Sequence, residues 1–302
     1  MVQDIGNSLR IDPDLLEKYE NVPQDDNYYY FYKYVRLDDQ VLDGIFGKNQ
    51  LKYTNPIDFN DPFDCHFAIN IDFTGFTQAN ASKVFKQRIK GKKWLEVKEK
   101  LKAGIRQTMS LDFTESFRRT VAVTCFNTDP FNMLMWSHYA YNHTGFILEF
   151  KISKFSSSTP YPLPVLYNDE YPSFLLNWDI NEHLKKENID SELTQLTILT
   201  KAACWSYEKE FRLLIDTTIP EDIDEVIPEY RIILKKYDPL ILSSVITGSK
   251  MNSEKYKKVL EAVKKFNSKH NLNVQVHKAE LADKKFKIII PSHPRLSKEQ
   301  NN

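Results

Sequence analysis

The stretch Cys204–Ile215, CWSYEKEFRLLI, decides how the rest of the chain is read. As an extended strand it alternates: Tyr207, Phe211, Leu213 and Ile215 point one way, and Glu208, Glu210 and Arg212 point the other. Two carboxylates two residues apart on a strand lie about 7 Å apart on one face. Like charges that close raise at least one pKa unless a cation sits beside them, and Arg212 is next on that face. Taken alone, the three charges fit a solvated outer face better than a site. The apolar flanks, CW before and LLI after, count against that and suggest a central strand. A fixed carboxylate there can steady the oxocarbenium-like centre formed when a sugar C1 bond breaks, and its neighbour can position the incoming nucleophile.

The whole chain sets bounds around that strand. Its 302 residues suffice for one large domain or two small ones, with 41% hydrophobic and 27% charged residues, an ordinary globular composition. Forty-one basic residues balance 41 acidic ones, which argues against a general electrostatic grip on nucleic acid or membrane. Cys65, Cys125 and Cys204 are odd in number and far apart, which fits a reducing cytoplasm and neither a disulfide framework nor a cysteine zinc site. The acidic start has no apolar core, so no secretory signal is expected. No apolar run approaches the roughly 18 residues of a membrane span. With only eight glycines, neither GxGxxG nor GxxxxGK[ST] occurs.

Along the chain, residues 1–27 are polar and are expected on the surface. YYYFYKYV (28–35) predicts a buried strand. A helix capped by Asp38 or Asp39 and stopped near Gly47 follows, then a short strand at 51–54. NPIDFNDPFD (55–64) is a structured loop, either an Asx-turn closed by Pro62 or a ligand loop presenting Asn60 and Asp61. Helical spacing and many lysines fill 77–119, most simply a solvated face. Strands at 120–127 and 145–150 flank a loop with a short helix. Residues 173–203 read as mostly helical, and 251–302 as a helix and strands packed on the core. Strand runs broken by helical insertions make the class α+β. On a continued helix, Met135, Tyr139 and His143 share one face. His138 and His143 are five apart, which does not suit a helical metal pair, so no metal is expected.

Three blocks carry a resemblance: YKYVRLDDQVLDGIFGKNQLKYTNPIDFNDPFD, CFNTDPFNMLMWSHYAYNHTGFILEF and WSYEKEFRLLI. Over roughly residues 30–250 they resemble the bacterial family called domain of unknown function 2971, which supplies no function. The order of first strand, helix, short strand and late Glu-x-Glu strand also resembles the ADP-ribosyltransferase fold, a split β-sandwich here carrying helical insertions near 77–119 and 173–203.

That second resemblance implies NAD as co-substrate, with the acceptor open among protein, nucleic acid and small molecule, and a role as a toxin or phage-defence effector. It places Glu210 at the catalytic glutamate and Glu208 at the residue preceding it. Lys33 falls where a first-strand Arg or His holds NAD. Lys33, Tyr34, Asn60, Asp61, His138, Tyr139, His143 and Arg212 would hold the dinucleotide or support Glu210. The chain departs from the family in having Lys33 rather than Arg or His, and YTNP in place of a Ser-Thr-Ser motif. Two rivals stand beside this reading: an interaction module on the same fold without catalysis, and a metal-dependent nuclease using Asp61, Asp64, His66 and the glutamates. As a cleft carboxylate, Glu210 is expected to matter little to folding.

Overall fold

The computed structural model describes residues 19–72, 77–79, 94–100, 102–104, 115, 118–156, 159–177, 196–227 and 232–299. The aromatic run forms β1 (Tyr28–Val35). Asp38 caps the next helix, its side chain accepting from the Val41 N–H, and the helix runs on as a π-turn to Gly47. Further strands are β2 (Gln50–Tyr53), β3 (Ala68–Asp72), β4 (Val121–Asn127), β5 (Phe146–Ser153), β6 (Leu163–Pro164), β7 (Leu166–Asn168), β8 (Ser173–Asn177), β9 (Thr200–Ala202) and β10 (Glu210–Asp216). They continue with β11 (Glu225–Ile227), β12 (Ile232–Lys236), β13 (Leu242–Thr247), β14 (Gln275–Lys278), β15 (Glu280–Leu281) and β16 (Ile288–Ile289).

Seven of these strands form one sheet in the order β14-β13-β5-β1-β4-β10-β6, so β10 lies inside the sheet as its apolar flanks implied. All neighbours are antiparallel except β13 and β14. One face is built from Phe31, Phe126, Leu148, Phe150 and Phe211. The helix Ser253–His270 covers it with Val259, Val263 and Phe266, and the small sheet β11-β12-β2 covers it with Leu51, Tyr53 and Ile233. Aromatic edges dominate there: Phe31 meets Phe211 at 5.2 Å and Phe126 meets Phe150 at 5.6 Å, both near T-shaped. Tyr19 and Val22 are buried in this core, so the end of the 1–27 segment is not the surface piece expected from its polarity.

The opposite face carries a second core around Tyr32, Tyr34, Trp136 and Ile147, and a third around Cys65, Val121, Val123 and Ile198. The C-terminal segment docks on this face through Glu149, which accepts from Ser244 Oγ at 2.8 Å, His293 Nε2 at 3.1 Å and Arg295. His293 Nδ1 in turn accepts the backbone N–H groups of Arg295 and Leu296.

The α+β class is as read from the sequence, with several sheets, few helices and no closed barrel among the described residues. Residues 173–177 are not helical: β8 pairs in parallel with β3, extending chain that the helical reading of 173–203 had absorbed. The remainder of that segment up to 195 lies outside the described residues, as does most of 77–119, where the described 94–100 are helical. No helix among the described residues is long and apolar enough to cross a membrane.

Candidate functional site

Glu208 is not on the strand. Residues Ala203–Glu208 form a 3-10 turn that ends at Lys209, whose φ of 45° and ψ of 50° are left-handed. The turn is fixed by the Lys209 N–H on Ser206 O and by the Asn127 amide on Glu208 O. The alternation seen through Tyr207 and Glu208 therefore belongs to the turn, and the strand starts at Glu210. A period of two over three residues is too short to separate strand from tight helix.

The charged face of β10 is not solvated either. Glu208, Glu210 and Arg212 are 2%, 4% and 0% exposed. Arg212 grips Asp64 with two nitrogens, Nη1–Oδ1 at 3.0 Å and Nη2–Oδ2 at 2.7 Å. It also holds Glu210 through Nε–Oε1 at 2.7 Å and Nη2–Oε2 at 3.2 Å, and donates to Ile198 O. Its guanidinium lies 5.5 Å over the Phe59 ring. Planar, two-pronged bonding of this kind suits Arg and not Lys. The lid over β10 is thus the loop 59–65 and the segment around Ile198.

A second cation completes the centre. Lys201 Nζ lies 2.5 Å from Glu208 Oε2, 2.9 Å from Glu210 Oε2 and 3.6 Å from Asp64 Oδ2, with the Trp205 ring 5.1 Å away. Three carboxylates thus face two cations, leaving one carboxylate in excess. Burial pushes Glu210 up, but Arg212 and Lys201 outweigh it and hold the carboxyl well below its ordinary range. Glu208 goes the other way, raised by burial and by Glu210 despite Lys201. Its other oxygen accepts the Tyr139 hydroxyl at 2.5 Å, and Asn60 Nδ2 lies 3.5 Å from that hydroxyl.

The structure thus brings together Glu208, Glu210, Arg212, Tyr139 and Asn60, with exposed His138 beside Tyr139, the ring centroids 6.3 Å apart in an edge-on arrangement. It leaves four others out. Lys33 is on the opposite face of the sheet: Tyr32 pairs with Asn127 and Asn127 with Glu210, so those three share a face and Lys33 takes the other. There its ammonium bonds Thr124 Oγ1 at 2.7 Å and Cys125 O at 3.1 Å, and burial lowers its pKa. Tyr34 is committed inside, to Asp129 O at 2.7 Å and edge-on to Trp136. His143 does not continue the helix Met133–His138, because Tyr141, Asn142 and His143 all take positive φ. It stacks on Trp136 instead. Asp61 Oδ1 closes an Asx-turn on the Phe63 N–H, while its buried Oδ2 has no hydrogen-bond partner.

Lys201, Tyr167 and Asn127 also belong to the centre without having been named from the sequence, and Asp64 was named beside the glutamates only in the nuclease alternative. One signal was available, since two buried carboxylates beside one arginine require a second cation. Nothing in the sequence said which lysine. Next to the centre, where β4 ends and β10 begins, a groove of about 650 Å³ is lined by Asp129, Phe131, Val165, Tyr167, Lys209 and Glu210 among others. Of the nuclease set, Asp64 meets Glu208 and Glu210 around Lys201 and Arg212, while His66 Nε2 faces Arg118 Nη1 at 3.0 Å. Among the described residues no group of three or more His, Cys, Asp and Glu side chains could hold a metal ion.

One comparison bears on this segment. The family described as Protein of unknown function (DUF2971) matches residues 135–213, a span that contains Tyr139, Lys201, Glu208, Glu210 and Arg212. No curated protein and no solved structure matched the chain.

Proposed function

We propose that this centre cleaves the nicotinamide–ribose bond of NAD and passes ADP-ribose to an acceptor or to water, on a distant variant of the ADP-ribosyltransferase fold. The observation that carries the reading is the unequal pairing of two adjacent buried carboxyls, Glu210 held by both Arg212 and Lys201, Glu208 by Lys201 and the Tyr139 hydroxyl. Glu210 is held ionised by Arg212 and Lys201, while Glu208 is pushed toward protonation. Paired groups driven apart in this way divide electrostatic and proton-handling roles. Glu210 faces the positive charge that grows on the ribose as the C1–N bond breaks and nicotinamide leaves with the bonding pair. Glu208, as carboxylate, takes the proton of the attacking hydroxyl or water. Tyr139 covers Glu208 Oε1, so substrate entry requires that side chain to swing outward. Lys33 and Tyr34 take no part.

A non-catalytic interaction module is the second reading, favoured by the fact that both Glu210 oxygens already have protein partners. The deciding experiment incubates the chain with NAD and a panel of protein and nucleic-acid acceptors and measures nicotinamide. The proposal expects release that falls roughly 100-fold or more in Glu210→Gln, as for loss of one preorganised electrostatic group. No release from the wild-type chain, with NAD bound, hands the case to the interaction module.

A further inference from the structure

We propose that Lys201 is the positioning residue of the centre: its single ammonium, shared among Glu208, Glu210 and Asp64, fixes where the two glutamates point and which of them carries charge. The proposal rests on the reading of Glu208 and Glu210 as working groups, and its geometry stands apart from any substrate. β9 is a three-residue strand paired only with β7 among the described strands, in parallel, with Lys201 across from Tyr167. Both side chains of that pair reach Glu210. The Tyr167 hydroxyl accepts the Glu210 N–H at 2.8 Å, and Lys201 Nζ donates to Glu210 Oε2 at 2.9 Å. This two-strand ladder is therefore a bracket that sets both the backbone and the carboxylate of Glu210.

Lys201 is also the element that ties Glu208 to the rest. Glu208 lies on the turn before β10, ahead of the left-handed Lys209, and its carboxylate is fixed at one oxygen by Lys201 and at the other by Tyr139. The groups facing Glu208 are Lys201 from β9, Glu210 from β10, Tyr139 after the short helix, Tyr167 from β7 and Tyr207 from its own turn. Lys201 is the one cation among them. A lysine 6% exposed yet paired with three carboxylates is far from the usual solvated lysine.

The test follows the carboxyl carbons of isotopically labelled glutamate by NMR across pH, with Glu208→Gln identifying the Glu208 signal. In Lys201→Met the Glu208 midpoint should rise by about one pH unit or more, the usual effect of losing an opposite charge at this range. Lys201→Arg should restore most of it. If Lys201→Met does not fold, Lys201→Met with Asp64→Asn removes one carboxylate along with the cation and is titrated in its place. An unmoved Glu208 midpoint in a folded variant overturns the proposal, and so does unfolding of both variants, which would make Lys201 a folding determinant. The readout needs no NAD. A shifted midpoint with no nicotinamide release from wild type would defeat the transferase reading and leave the role of Lys201 intact.

Discussion

Replacing Glu208 and Glu210 by glutamine, one at a time, should give unequal losses of stability. The two side chains are adjacent and similarly buried, but the charge count treats them differently. Three carboxylates surround Lys201 and Arg212, so Glu208→Gln leaves two of each sign. The new amide can still accept from Lys201 through its oxygen while its N–H donates to the Tyr139 oxygen. Its cost should stay within about 1 kcal/mol, since relief of repulsion from Glu210 offsets the weaker bond. Glu210→Gln is different. Glu210 accepts three charged hydrogen bonds, one from Lys201 and two from Arg212. An amide keeps one oxygen and turns two N–H donors toward cations that are themselves donors. Charge-assisted bonds contribute roughly 1.5–3 kcal/mol each, and part of the loss is recovered as Glu208 becomes fully ionised, so a net cost of about 3 kcal/mol is expected. Urea unfolding followed by tryptophan fluorescence at neutral pH measures it, as a lower midpoint at unchanged slope. Equal losses for the two variants, or a loss below about 1 kcal/mol for Glu210→Gln, would refute the reasoning from charge count.

Glu149 sets an acid limit. Burial raises its pKa, but His293, Arg295 and Ser244 together bring it down to about 2 from an ordinary 4.5. A depressed carboxyl contributes stability that is present above about 4.5 and lost as pH falls toward 2, here on the order of 3 kcal/mol, and Glu149→Gln should flatten unfolding free energy against pH in that window. Lys33→Met should leave nicotinamide release unchanged, because Lys33 is across the sheet from the glutamates, and its effect on stability should stay within about 1 kcal/mol. A large loss of activity would restore Lys33 to the site. Gly145→Ala should cost several kcal/mol in thermal or urea unfolding, because a Cβ there would meet Val35 O at 2.2 Å and Ala140 O at 2.9 Å, both backbone atoms that cannot step aside.

Much of the sheet was legible because its signals are local. The aromatic run 28–35, the Asp38 cap and the apolar flanks of β10 act over a few residues, and each behaves as its chemistry requires. The misreadings have non-local causes. The strand reading of Glu208 follows from Lys209 showing no sign of positive φ; in the fold Lys209 takes that conformation, with Asn127 from β4 donating to Glu208 O beside it. A basic residue between tyrosines stands out as a ligand contact, yet the face of Lys33 relative to Glu210 is set by the register of β1 with β4 and of β4 with β10, which no single strand reveals. The expectation that Glu210 matters little to folding leaves out partners that, Arg212 aside, come from segments whose arrival at β10 is a matter of topology, and the Glu210→Gln measurement tests it. For the candidate site, the carboxylates, Arg212, Asn60 and Tyr139 could be named in advance, and the cation joining them could not.

Because Asp64, Tyr139, Lys201 and Arg212 come from four separate stretches, with Asp64 and Arg212 separated by 148 positions, this centre also bears on the order of assembly. Glu210 and Arg212 pair within one strand, but Asp64 gains its counter-ions only when the loop 59–65 reaches β10, so burying it earlier would be unfavourable. Closing so long a loop costs chain entropy before its contacts reward it, which favours a late place for them in assembly. Weakening Arg212 should therefore leave the refolding rate nearly unchanged and steepen the loss of native protein, seen as a faster unfolding limb in denaturant-jump kinetics. The ions that set the chemistry would then also act as the latch that keeps the finished fold from opening.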